Sequence, residues 1–240
     1  MFSKLLPVYV TEFLVALDAT LGMHQEGLKL TRVQRLWLGM SLMGIVVIEW
    51  VGWTRFERAS LGQCTRGALS WMFRKANIPW HSLLRGSVEV LLSRYGIRSG
   101  VLSLDDTERA RAKRTSQIHW AHKLKDKKTG GYLNGQCIVF VVLVTPIITI
   151  PVDFAFYMPD PQWNAWNKED ERLRRLKVPK RERPAAPPRD PRYPTKQELA
   201  LRLLARFKAS YPSISVKAEV ADALYGTGQF VQEGHQLFGT

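Results

Sequence analysis

Apolar and polar positions follow two different rhythms along this chain, and the change falls near residue 100. Before it the spacing is helical. Val8 to Leu21 is apolar at helical intervals, and Trp80 to Tyr95 places Leu83, Leu84, Val88, Leu91 and Leu92 on one face. Thr31 is suited to cap a helix carrying Leu36 to Val51. Residues 1–98 are therefore expected to form a helical N-terminal region. After Gly100 the apolar residues become β-branched and clustered. Val101 to Leu104 predicts a short strand ending in Asp105, Asp106 and Thr107. Gln136 to Val144 predicts a buried strand, Pro146 breaks it, and Ile147 to Tyr157 predicts another. The last two are joined too tightly for a helical crossover, so strands at 101–105, 136–145 and 147–157 read as an antiparallel meander.

The stretch from Pro159 to Pro194 differs again. A charged section, Lys168 to Lys177, has the makings of a short helix. Pro184, Pro187, Pro188, Pro191 and Pro194 make the rest a stiff connector. Thr195-Lys196-Gln197-Glu198 then has the capping-box form that opens a helix, with Leu199, Leu203 and Phe207 on its apolar face and Pro212 at its end. Ser215 to Ala221 predicts a strand that reaches Asp222, and Gly226 and Gly228 lead into a final helix. The expected order after the helical region is β-β-β-α-β-α. A right-handed crossover would lay the fourth strand parallel to one of the first three. If that neighbour is the first strand, Asp105 and Asp222 stand side by side. The expected fold class is α/β: a mixed sheet of three antiparallel strands, a helix and a parallel strand, in a domain spanning 99–240.

Composition narrows the partners. The 240 residues carry a net charge of +14, which favours a polyanion, either nucleic acid or an anionic membrane surface. The longest apolar runs, Leu36 to Ile48 and Ile138 to Ile150, hold 13 residues each. A spanning helix needs roughly 20, so both are expected to be buried elements and no membrane partner is expected. No long amphipathic basic helix is evident, which disfavours a membrane-surface role. Two cysteines far apart, Cys64 and Cys137, suit neither a zinc site nor a disulfide framework and fit a cytoplasmic setting.

Two stretches carry candidate chemistry. Leu102-Ser103-Leu104-Asp105-Asp106-Thr107 resembles the first catalytic motif of insertion-sequence transposases of the DDE superfamily. Val216 to Gly226, with Ala221-Asp222 and Tyr225-Gly226, resembles the second. Between them, Lys125 to Tyr132, Asn134-Gly135-Gln136 and Ile150 to Tyr157 are also similar to this family. The resemblance covers residues 75–240 and, more loosely, the N-terminal region. It implies an RNase H-like catalytic domain with Asp105 and Asp222 as catalytic, metal-holding carboxylates; Asp105 is preferred to Asp106 by analogy with Asp-Gly-Thr members. It implies two Mg2+ ions, with Mn2+ able to substitute. Metals about 4 Å apart activate the attacking oxygen and stabilise the leaving one in phosphodiester chemistry, and hard cations take carboxylate oxygens. It further implies double-stranded DNA as partner (element ends and target), a homo-oligomer on that DNA, and a cytoplasmic, nucleoid-associated location. The family's third acid, a glutamate on a later helix, has no counterpart here. Only 18 residues follow Asp222, with Glu233 the one acid among them, so the chain is expected to be truncated and weakly active or inactive. A transposase-derived DNA-binding protein without catalysis is the alternative.

Each candidate has a plainer reading. Asp105 and Asp106 could be turn residues after a strand, and Asp222 a helix cap. The basic stretch with Arg109, Arg111, Lys113, Arg114, Lys123, Lys125, Lys127 and Lys128 could be solvated surface; its place beside the acids favours contact with the DNA backbone. A second basic block, Arg172, Arg174, Arg175, Lys177, Lys180, Arg181 and Arg183, reads as an extended arm, with DNA contact and solvated surface equally open. His119 and His122 read as polar surface or a phosphate contact more readily than as a metal pair. Trp163 and Trp166 could stack on unpaired bases but more readily anchor a loop. Tyr225 and Gly226 would shape the turn after the second motif, Gly226 by adopting a positive φ.

Overall fold

A computed structural model describes residues 6–24, 27–49, 51–60, 62–111, 118–126 and 129–239. The chain divides into two compact units, Met1–Gly96 and Ile97–Thr240. No single helix among the described residues is long and apolar enough to cross a membrane.

The first unit contains five helices among its described residues: α1 (Val8–His24), α2 (Arg32–Ile48), α3 (Trp53–Ala59), α4 (Arg66–Lys75) and α5 (Trp80–Arg94). In α1 the buried residues Val10, Leu14, Leu17 and Leu21 recur every three or four positions, which puts them on one face. Leu17 and Leu21 pack with Leu30 and with Leu83 of α5. A second cluster forms around Trp37, Phe56 and Leu69, and the Trp37 indole donates to the Leu69 carbonyl at 3.0 Å. Thr31 caps α2 as expected and forms a capping box with Gln34. The apolar run Leu36 to Ile48 departs from expectation. Its first half is buried through Trp37, but Val46 and Val47 are 59% and 68% exposed. The run continues round the helix, and among the described residues only the faces against α1, α3 and α4 have a covering.

The second unit is an α/β unit built on a mixed sheet. Its strands are β1 (Ser99–Ala110), β2 (His122–Lys125), β3 (Tyr132–Val144), β4 (Thr149–Tyr157) and β5 (Ser215–Ala221). β3 lies antiparallel to β1 on one side; on the other it pairs with β2 at its start and β4 beyond. β5 lies parallel to β1, the one parallel pair among the described strands. β1 is much longer than its apolar stretch. It runs on through Asp105 to Ala110 because β3 offers partners as far as Gly135. The segment after Asp105 is thus not a turn, and the pattern missed it because its side chains are polar on both faces. β2 was missed because Leu124 is its one apolar residue, set between lysines. Gly100 sits where β1 and β5 shift register, and a Cβ there would lie 2.7 Å from Leu143 Cδ1 and 2.8 Å from the Val144 carbonyl.

Alternation along β1 and β3 sorts the sheet into two faces. Leu102 and Leu104 share one face with Val139, Val141 and Leu143, all nearly inaccessible. Helix α7 (Lys196–Ser210) covers that face with Leu199, Leu203, Leu204 and Phe207. Its capping box, Thr195 with Glu198, is formed as the sequence predicts. An Arg206–Asp153 ion pair at 2.8 Å ties α7 to β4. Helix α8 (Gly228–Phe238) follows β5 after one short 3-10 turn.

Between β4 and α7 the chain forms a hairpin rather than an open extended arm. Helix α6 (Pro161–Arg175) starts at Asp160, whose carboxylate accepts from Gln162 and Trp163 amides and, from the returning chain, the Asp190 amide. Trp166 donates its indole N–H to the Pro184 carbonyl at 2.9 Å. Arg189 lies over the Trp163 ring, and Arg183 pairs with Asp170 at 2.8 Å. The two tryptophans anchor the proline-rich return to α6, in line with the anchoring reading.

Candidate metal centre

β5 stops pairing with β1 at Leu104–Ala221, so the next residues, Asp105 and Asp222, stand at the point where the two parallel strands part. This is the juxtaposition that a parallel neighbour for the first strand would create. One carboxylate oxygen from each of Asp105, Asp106 and Asp222 lies within 4.8 Å of the others. Three hard oxygen donors at that spacing are chemically suited to a divalent cation such as Mg2+ or Mn2+. Asp106 also belongs to a second group, with Glu108 and Cys137.

The three aspartates are held differently. Asp105 is exposed, and one oxygen accepts the Asp106 amide at 2.7 Å. Asp222 begins the 3-10 turn Ala223–Tyr225, its Oδ1 accepting the Leu224 amide at 2.9 Å. The capping reading of Asp222 therefore holds, and it leaves Oδ2 available. Asp106 points the other way, to the face covered by α7. Its Oδ2 meets Lys196 Nζ at 2.6 Å and accepts from the Cys137 thiol at 3.5 Å. Burial pulls the Lys196 ammonium down, but the Asp106 hydrogen bond and neighbouring negative groups outweigh it and hold it above the ordinary lysine value. Burial pushes the Cys137 thiol up to about 11.

Tyr225 completes the surroundings. It is 1% exposed, and its hydroxyl has no hydrogen-bond partner among the described residues. Burial, and then the carboxylates of Asp106 and Asp222 with Cys137 and Asp105, push its phenol well above the usual tyrosine value. A buried phenol that feels all three aspartates and bonds to none is costly, by about 1–3 kcal/mol, unless a further group meets it there. A cleft of about 370 Å³ opens alongside, between β5 and α8, with Asp222, Tyr225, Phe230 and His235 in its wall.

Of the expected basic contacts, Arg109, Arg111, Lys123 and Lys125 are exposed on the extension of β1 and on β2, with Arg111 donating to Gln136 at 2.8 Å. Lys113, Arg114, Lys127 and Lys128 lie outside the described residues. His119 stacks on Trp120 and meets the edge of Phe156, while His122 bonds the Trp120 carbonyl and packs against Tyr157. His119 is exposed and His122 half-buried, and neither belongs to a possible metal group among the described residues. Gly226 does not need a positive φ; its φ is −76°, and its amide closes the 3-10 turn onto the Ala223 carbonyl. Glu233 lies on α8 and accepts from Gln229; it is not part of either acidic group among the described residues.

Lys196 and the buried phenol of Tyr225 carried no legible role in the sequence. The one hint for Lys196 was its place at the first helical position after Thr195, which starts α7 over the sheet end. No known protein family matches the chain, and neither a curated protein nor a solved structure matches it.

Proposed function

We propose that Asp105 and Asp222 hold divalent metal for phosphodiester cleavage and strand transfer on DNA, the chemistry of a DDE-type transposase built on an RNase H-like sheet. The observation that carries the reading is the placement of these two carboxylates, 117 positions apart in sequence, at the parting of two parallel strands. The strand order supports it: four antiparallel strands including the short β2, the α6 hairpin, a covering helix and then a parallel strand beside the first. Mg2+ or Mn2+ bound there would activate the attacking oxygen and stabilise the leaving one. The chain's own residues set the stage. The rigid β1–β5 pair fixes the spacing of Asp105 and Asp222, and the turn at Leu224 orients Asp222. Lys196 neutralises Asp106, so that Asp105 is the β1 carboxylate offered to the open side. Arg109 and Lys123 would bind the backbone of the DNA whose bond is cut.

The test is nicking of labelled duplex carrying the DNA that flanks this coding region, with Mg2+ or Mn2+ present. Cleavage by the wild type and its loss in Asp105→Asn and Asp222→Asn is the expected result. Equal cleavage by Asp105→Asn defeats the metal assignment. A second reading is a DNA-binding protein without catalysis. One observation favours it: the third carboxylate in the group, Asp106, is already paired with Lys196. Salt-sensitive DNA binding with no metal-dependent cleavage would decide for that reading.

A further inference from the structure

The hairpin from Pro161 to Pro194 holds ten Lys and Arg residues and five acids. All five acids are answered within the hairpin, each by a different arginine. Glu169 meets Arg172, Asp170 meets Arg183 and Glu171 meets Arg175; Glu182 meets Arg181 and Asp190 meets Arg192. Five cations are left over. Arg189 is spent on the Trp163 ring near the base, and Lys168 lies mid-helix. The other three, Arg174, Lys177 and Lys180, are exposed, make no ion pair among the described residues and lie where α6 turns back. That turn is tight: Lys177 has a φ of +62°, and its amide bonds the Arg174 carbonyl.

The hairpin is built to hold this tip away from its base. None of the residues of α6 is buried, so the helix is not a layer of the core. Its order comes instead from the Asp160 tie at the base, the Trp166–Pro184 bond midway and the Arg183–Asp170 pair, whose side chains are only 14% and 18% exposed. Fifteen helical residues set the tip roughly 22 Å from the base. Three unneutralised cations on a proline-stiffened projection form a discrete positive point, unlike a diffusely charged surface.

We propose that this tip is a phosphate-backbone clamp for duplex DNA, with Arg174, Lys177 and Lys180 as its contacts. A membrane surface fits less well, because both tryptophans of the hairpin are committed to holding its two limbs together and only Leu176 is a large apolar side chain exposed at the tip. The clamp is sequence-independent by construction, since ammonium and guanidinium groups reach phosphates without reading bases. It does not depend on the chemistry at Asp105 and Asp222.

The experiment measures binding of a fluorescent 30-base-pair duplex of arbitrary sequence to the full chain, without divalent metal, over a range of salt. The variant combines Arg174→Gln, Lys177→Gln and Lys180→Gln. Its control removes the same charge elsewhere in the unit, through Arg98→Gln, Arg202→Gln and Lys208→Gln. Loss of three phosphate contacts lowers the slope of log affinity against log salt by about 2.7 and weakens binding at 0.1 M salt by at least about tenfold. The control moves the slope by much less. Equal effects of the two triple variants overturn the clamp, since net charge alone would then explain them. Tip-dependent capture by phosphatidylserine vesicles that exceeds DNA binding overturns it too. Trp166→Phe, which keeps every charge but removes the Pro184 bond, is expected to weaken binding about two- to fivefold; no change there combined with an intact tip-variant slope also counts against it. Asp105→Asn leaves the slope unchanged, so a failed metal site and a failed clamp give different results.

Discussion

Asp105 and Asp106 are neighbours on one strand and each brings an oxygen to the group with Asp222, yet the two-residue repeat of the strand ties them to different partners. Asp105 faces the open side beside Asp222. Asp106 faces α7, where Lys196 and Cys137 meet it. The difference comes from the two-residue repeat of a strand together with the one-sided covering by a helix. On the covered face a carboxylate needs a counter-charge, because burial without one is costly. On the open face water screens it, and it is available to a ligand. Adjacent identical residues thus become a structural ion pair and a candidate metal donor.

Four experiments break or sharpen this contrast. The largest effect is on activity. Asp105→Asn should cost the proposed metal-dependent cleavage several kcal/mol of charge stabilisation, about a hundred- to a thousandfold in rate, whereas Asp106→Asn should cost mainly stability. Single-turnover nicking alongside thermal melting separates the two. Next comes packing. Leu203→Ala, on the helix over the covered face, should destabilise the unit by about 3 kcal/mol, while Val220→Ala, 54% exposed on β5, should change stability by less than about 0.5 kcal/mol. Urea unfolding of both variants checks this.

The third is Lys196→Met, which leaves Asp106 without its partner. It should cost about 2 kcal/mol, less than a fully buried pair because both side chains keep some exposure. Adding Asp106→Asn should recover part of the loss. Because the folded-state value of Lys196 is raised, its contribution is complete below the ordinary lysine range and is lost as pH rises through the folded value. The gap between wild type and Lys196→Met should therefore hold at neutral pH and narrow above about pH 10. The smallest effect is at the start of the same helix. The Thr195 backbone amide holds the Glu198 carboxyl below its usual value, so its stabilisation is present above about pH 4.3 and fades as pH falls through the lowered value. Glu198→Gln should cost about 0.5 kcal/mol at pH 7 after allowance for solvent screening and nothing near pH 3, as read from unfolding at the two pH values.

Much of this architecture was legible in the chain. The apolar segments at Gln136 to Val144 and Ser215 to Ala221, the Pro146 break and the Thr195 capping box signal their elements through local chemistry. The two acidic motifs were legible as well, because each follows an apolar strand. What escaped were the polar half of β1 and all of β2, which owe their pairing to β3 rather than to their own residues. The two 13-residue apolar runs looked alike, yet one became the end of β3, a turn and the start of β4, and the other an incompletely covered helix. A run records how much apolar surface a segment carries and says nothing of what lies against it.

Residue order alone marked where the apolar strands and the capped helices α2 and α7 begin, which residues repeat on one face, and that acids stand just after two apolar strands. Those features depend on contacts within a few positions. Which acid serves which face, whether Lys196 reaches Asp106, and whether the basic block is a loose arm or a braced hairpin were decided only when distant segments met. Charge pairing and burial are properties of a completed three-dimensional neighbourhood: 90 residues of chain separate Asp106 from Lys196, and folding brings them to 2.6 Å.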